Sequence, residues 1–153
     1  MAAPGADSIV VDCSVVVKWE LTAEPQAVEA MELLLDWQHK AVVVHAPGFL
    51  FLETSSALLR AQRQGRIAGA AAAAAVTALL GLPYLLLDVT AAVAARAYEL
   101  AVQHNQKVYD CTYVALAEQH QFDLWTGDQR LYNAMRHHCS FIRWLGDYAK
   151  KRP

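Results

Sequence analysis

Four carboxylates stand where solubility alone would not place them: Asp12, Glu53, Asp110 and Asp128. Asp12 closes the apolar run Ile9-Val10-Val11, and Asp128 lies two residues after Leu124-Trp125-Thr126. Both therefore fall at the carboxyl ends of predicted strands, where open parallel sheets hold their ligands. Asp110 enters the first turn of a predicted helix, and Glu53 interrupts the apolar stretch Phe49-Leu50-Phe51-Leu52. Taken singly, each has an ordinary structural role: a charge complementing a helix dipole for Asp110, a cap for Asp128, a turn former for Asp12, a solvated stripe for Glu53. Taken together they pose an electrostatic problem. Carboxylates gathered within a few ångströms raise one another's pKa and oppose folding at neutral pH unless something positive lies between them. An all-oxygen, all-acidic set selects hard Mg²⁺ or Mn²⁺ over zinc. Such ions suit phosphoryl chemistry, because they generate hydroxide from water and neutralise charge on the phosphate, so no protein nucleophile is required.

The elements that must position these acids follow from hydrophobic periodicity. Short apolar runs alternate with longer helical ones, the pattern of an α/β protein with a parallel sheet between helical layers. Strands are predicted at 8–12, 41–45, 84–87, 124–126 and 140–143. The first and third read as buried, because their apolar runs are continuous. Helices are predicted at 27–38, from Pro47 to about Gln64 with Gly65 as terminator, and at 67–80, 91–104, 108–121 and 128–136. Asp88 and Thr90 are placed to cap the helix at 91–104, and residues 147–153 read as a basic tail. Glu53 shares its helix face with Phe49, Ser56, Ala57 and Arg60, a small and polar face beyond the first turn that suits a groove floor.

Composition bounds the rest. The chain has 153 residues, 56% hydrophobic and 18% charged, which excludes a disordered or collagen-like protein and fits a single compact domain spanning 1–153, with its core at about 8–145. The net charge of −2 hides an asymmetry: residues 1–53 carry eight acids against two bases, residues 54–153 seven against eleven. Cys13, Cys111 and Cys139 are odd in number, far apart and without a CxxC pair, so a reducing, cytoplasmic location is expected. Residues 67–87 lack charge, yet alanine is only weakly apolar and Gly81 with Pro83 breaks the run, so no membrane span is expected. The first residues have no basic and apolar regions of a signal peptide.

These residues resemble the PIN-domain family of metal-dependent ribonucleases, most closely its VapC-type toxins. The similarity is carried in order by VVDCSVVVKWEL at 10–21, PGFLFLETSSALLR at 47–60, GRI at 65–67, LPYLLLD at 82–88, VYDCTYVALAE at 108–118 and LWTGDQRL at 124–131. No single piece is decisive, whereas the ordered set is highly specific. The resemblance implies a three-layer α/β/α sandwich with a central parallel sheet. It also implies Asp12, Glu53, Asp110 and Asp128 as catalytic and metal-binding acids, with Ser14 and Thr126 as supporting hydroxyls. Mg²⁺-dependent RNA cleavage, a homodimer and a small antitoxin protein partner are implied as well. Cys13 and Cys111 stand where alanine is commoner in the family, and Ala57 replaces a frequently polar residue.

Lys18, Arg60, Arg63, Arg66, Lys107 and Arg130 are candidate RNA contacts. Arg60, Arg63 and Arg66 lie on one helix and its exit, with no acid between Glu53 and Asp88, and the others lie close in sequence to a site acid. Such groups would bind phosphate and give position rather than sequence readout. Two other functions compete: a catalytically silent PIN-like module that binds RNA or protein, and a housekeeping RNA-processing nuclease. The absence of an appended domain in the sequence favours the toxin type.

Overall fold

The structure, a computed structural model, describes residues 6–151. Five parallel strands form one sheet: β1 (Asp7–Val11), β2 (Val42–Pro47), β3 (Leu85–Leu87), β4 (Asp123–Thr126) and β5 (Ile142–Trp144), in the order β3-β2-β1-β4-β5. The helices between them are α1 (Cys13–Val16), α2 (Ala27–Gln38), α3 (Leu50–Arg63), α4 (Gly69–Leu80), α5 (Ala91–His104), α6 (Val108–His120) and α7 (Gln129–Met135). Three-residue and seven-residue 3-10 segments follow α1 and β5, at Val17–Trp19 and Leu145–Lys151.

Side chains of a strand alternate between faces, so the register assigns the two layers. Val10 pairs with His45 and with Leu124, and the His45 ring meets Phe122, just beyond α6, at 4.7 Å. That face carries α5 and α6, which Arg96 also ties through paired hydrogen bonds to Glu118. On the opposite face Trp125 meets Tyr148 edge-on at 4.8 Å, and the Tyr148 hydroxyl donates to Asp36 of α2. The expected α/β/α sandwich is therefore present. Ile9, Val10 and Val11 are at most 4% exposed, as a central strand of continuous apolar character must be.

Helix ends follow local chemistry. Gly65, with φ of 72°, takes the left-handed conformation just past α3, where a side chain would be strained. The Thr90 hydroxyl accepts from the Val93 amide and caps α5; Asp88 does not share that role. Pro47, expected to open the long helix, instead ends β2 opposite Leu87, and α3 starts three residues later. β3 is the larger correction. It lies at the sheet edge with Leu85 and Leu86 52% and 53% exposed, because an apolar run specifies strand character and not which neighbours will cover it. The last strand is displaced to Ile142–Trp144, and the expected tail is in part a 3-10 segment whose Tyr148 packs into the core. Residues 152 and 153 of that expectation lie outside the described residues. Among the described residues no helix is long and apolar enough to cross a membrane.

Candidate active site

In the order β3-β2-β1-β4-β5, the chain leaves β1 toward β2 on one side and leaves β4 toward β5 on the other. Diverging crossovers open a crevice outside the carboxyl ends of β1 and β4, the place where open α/β sheets bind ligands. Asp12 follows β1 directly and Asp128 follows β4 with only Gly127 between, so both stand at the mouth of this crevice. A cavity of about 310 Å³ there is lined by Asp12, Glu53, Asp110 and Asp128 together. A larger hollow, about 600 Å³, lies among Asp7, Asp36 and Asp123; it sits at the amino-terminal end of the sheet and gathers none of the four.

Local folding rules and the site use the same atoms. Asp12 is the N-cap of α1, its Oδ1 accepting from the Val15 amide at 3.3 Å and from the Ser14 hydroxyl. Its Oδ2 accepts from the Thr126 hydroxyl at 2.5 Å. The same two hydroxyls hold the β4–α7 turn: the Gly127 amide donates to Ser14 Oγ at 2.8 Å, and the Asp128 amide to Thr126 Oγ1 at 3.0 Å. Asp128 then caps α7, accepting from the amides of Arg130 and Leu131. Two helix caps and two hydroxyls thus lock the two strand-end acids into one rigid unit; Asp128 takes its expected cap role, Asp12, expected as a turn former, is a cap as well, and neither role conflicts with a functional one.

Glu53 and Asp110 come from helices that meet through aromatic rings. Phe49, at the start of α3, packs edge-on against Tyr109 and Tyr113 of α6, at 5.1 and 5.3 Å. This contact sets the first turns of α3 and α6 side by side. The Tyr113 hydroxyl donates to Glu53 Oε2 at 2.6 Å, and Asp110 Oδ2 receives the Arg130 guanidinium at 3.2 Å.

The carboxylates sense burial and one another. Asp12, 5% exposed, has its pKa raised from 3.8 to about 6. Burial is the main cause; the Ser14 and Thr126 hydrogen bonds oppose it, and the charges of Asp128 and Asp110 add to it. Burial likewise raises Asp110, helped by Asp128 and opposed by Lys107 and Arg130. Glu53 is raised by burial and by Asp110, against the Tyr113 hydrogen bond and Lys107. The acids therefore share one electrostatic field, as like charges around a cation site do. Among the described residues no three His, Cys, Asp or Glu side chains form a ready-made ligand cage. Asp12 and Glu53 are instead held by hydroxyl donors, Asp110 by the Arg130 guanidinium, and Asp128 by the amides of Arg130 and Leu131. The all-oxygen donor set and the mutual repulsion suit a hard divalent ion.

The candidate basic residues divide. Lys18, Arg60 and Arg66 line the cavity with the acids, and Arg66 pairs with Glu24 on its wall. Lys107 and Arg130 act on the acids electrostatically without lining it. Arg63, near the end of α3, is exposed and does not line the cavity. Lys18 is not the surface residue that a phosphate contact suggests. It is 7% exposed, and a methyl group on Gly127 would come within 2.8 Å of its Cε, so its stem crosses the Thr126-Gly127-Asp128 turn. Cys13 lines the cavity, with its thiol raised to about 12 chiefly by burial, whereas Cys111 is fully buried away from it.

Sequence reasoning missed Tyr113, Gly127 and Glu24. Tyr113 carried a usable signal, since it stands one helical turn after Asp110 with a polar tip on an apolar ring. Glu24 and Gly127 carried none without the fold.

The PIN domain family profile matches residues 9–136. Solved structures similar to the chain include the following two. One is PAE2754 from Pyrobaculum aerophilum: 19% identity, TM-score 0.68, covering 99% of this chain and 100% of that one. The other is VapC20 of Mycobacterium tuberculosis, described as a sarcin-ricin loop cleaving toxin: 24% identity, TM-score 0.63, covering 83% of this chain and 95% of that one. At these identities the two structures establish shared fold alone. No curated protein matches the chain.

Proposed function

Because this chain belongs to the PIN-domain family, we propose that it is a divalent-metal-dependent ribonuclease. The observation that carries this reading is the convergence of Asp12, Glu53, Asp110 and Asp128 on one cavity at the sheet's switch point. Asp12, Asp110 and Asp128, with Glu53 beside them, would hold Mg²⁺ or Mn²⁺. The ion supplies Lewis acidity toward water and the phosphodiester and neutralises developing charge. The protein's own groups do the rest. Ser14 and Thr126 orient both oxygens of Asp12. Tyr113 fixes Glu53, whose raised pKa suits it to take up a proton from the attacking water. Arg60 and Arg66 offer positive charge to the flanking phosphates without reading bases, while the buried Lys18 braces the Thr126-Gly127-Asp128 turn.

The finer reading is a toxin of the VapC type, acting as a cytoplasmic homodimer and silenced by a small antitoxin protein. It is supported by the likeness to VapC20, itself described as a toxin. Incubation of purified protein with total RNA, followed by mapping of new ends, tests the activity. Cleavage is expected with Mg²⁺ or Mn²⁺, none with EDTA, and none from Asp110→Asn or Asp128→Asn variants that keep the wild-type circular dichroism. Cleavage that persists in EDTA, or in either variant, would refute the proposal. A folded wild type that cleaves no RNA under any metal would instead favour a binding module with the same acids.

A further inference from the structure

Arg130 occupies an unusual position for a residue grouped with possible RNA contacts. Its guanidinium Nη2 lies 3.2 Å from Asp110 Oδ2 and 3.9 Å from Asp128 Oδ2. One positive group therefore bridges two of the four acids, one from α6 and one from the β4–α7 turn, whose sequence positions are 18 residues apart. Its backbone is equally constrained, because the Arg130 amide donates to Asp128 Oδ1 at 2.9 Å as part of the α7 cap. The cap fixes where the side chain starts, and the two carboxylates fix where it ends. The side chain remains 53% exposed, so it can swing into solvent without opening the core. None of the other site acids has such a partner: Asp12 is served by neutral hydroxyls and Glu53 by a neutral phenol.

We propose that Arg130 is an internal counter-cation of the acid cluster, which a divalent ion must displace from Asp110 and Asp128, so that this residue sets the protein's metal affinity. The inference rests on the metal-dependent reading above and deepens it. In the metal-free protein the guanidinium screens two carboxylates that would otherwise repel each other. A divalent ion competes for the same oxygens, and its charge then expels the guanidinium toward solvent at the cavity edge, where phosphate is a suitable new partner. Arg130 acts through Asp110 and Asp128 and is a positioning residue, not a catalytic one. Lys107 reinforces the same field, but it makes no ion pair with any of the four acids.

Mn²⁺ binding without RNA tests this, read as the loss of the free-ion electron paramagnetic resonance signal at low ionic strength. An exposed ion pair is worth a modest factor, so Arg130→Gln is expected to bind Mn²⁺ roughly two- to fivefold more tightly than wild type. Arg130→Lys, which restores the charge, should return affinity close to wild type. Raising the salt should shrink the difference between Arg130→Gln and wild type, since the competition is between partly exposed charges. Unchanged or weaker binding by Arg130→Gln would overturn the inference while leaving the metal site standing. Failure of the wild type to bind Mn²⁺ at all would overturn both. A second measurement needs no variant: the Arg130 Nε–Hε resonance should move on Mg²⁺ titration, and a signal that stays fixed at saturating Mg²⁺ would refute displacement directly.

Discussion

Asp12→Asn turns the electrostatics of the site into a stability measurement with a defined sign. The Asp12 pKa stands near 6 in the folded protein, against 3.8 for the unperturbed group. Below 3.8 the carboxyl is protonated both folded and unfolded, and its contribution is fully present. Between 3.8 and about 6 the unfolded chain releases the proton while the folded protein retains it, so stability falls as pH rises. Above 6 the folded protein carries the whole cost, roughly 3 kcal/mol for a shift of this size. Asparagine never ionises and escapes this term. It gives up one well-matched carboxylate acceptor between the Ser14 and Thr126 hydroxyls, a fixed loss of about 1 kcal/mol. In EDTA the variant should therefore be about 1 kcal/mol less stable than wild type near pH 4 and about 2 kcal/mol more stable at pH 7. For a chain of this length that excess corresponds to a Tm higher by roughly 4–8 °C. Urea unfolding followed by circular dichroism, at several pH values between 4 and 7.5, measures the difference. A wild-type-to-variant difference that stays constant across this window would refute the reasoning, whatever its sign. Saturating Mn²⁺ should then reverse the order at pH 7, because an ion at 100 times its Kd adds about 2.7 kcal/mol to the protein that binds it. Equal gains in both proteins would remove Asp12 from the metal site.

Two further substitutions test neighbours of the acids. Tyr113→Phe deletes the hydroxyl that donates to Glu53 and leaves the ring against Phe49; Glu53 then rises further, and the acid limb of the RNA-cleavage profile should move to higher pH, with a fold cost of only about 1 kcal/mol. An unmoved acid limb would show that Glu53 does not govern the profile. Gly127→Ala places a methyl 2.8 Å from Lys18 Cε and 3.3 Å from both the Ser14 carbonyl oxygen and Leu145 Cδ2. It should cost about 1–3 kcal/mol by overpacking. In urea unfolding a shorter residue at position 18 should recover part of that cost, and strictly additive penalties for Gly127→Ala and Lys18→Ala would contradict the contact.

Much of this architecture was legible before any coordinates. α2 and α5 span the expected residues, and β1, α6 and β4 differ from expectation by a residue or two at their ends, because apolar periodicity over a dozen residues and caps such as Thr90 act locally. The acids were legible too: Asp12 and Asp128 from their positions after apolar runs, Glu53 and Asp110 from carboxylates set among apolar neighbours. What failed was sheet-level context. β3 reads as buried and lies at the edge, and Pro47 reads as a helix start and closes a strand. That Arg130 pairs with two acids was likewise not legible, because one partner comes from α6 and the other from the β4–α7 turn.

The amino-acid order alone determined the succession and approximate extent of the strands and longer helices, and that four carboxylates would fall at strand ends and first helical turns. Only tertiary structure decided what each carboxylate touches. Tyr113 reaches Glu53 across 60 positions and Thr126 reaches Asp12 across 114. Contacts of that span depend on sheet order and helix packing, which propensity and periodicity do not encode. The pKa of Asp12 and the bridge made by Arg130 follow from those contacts, since burial and charge separation exist only once the layers have closed on one another.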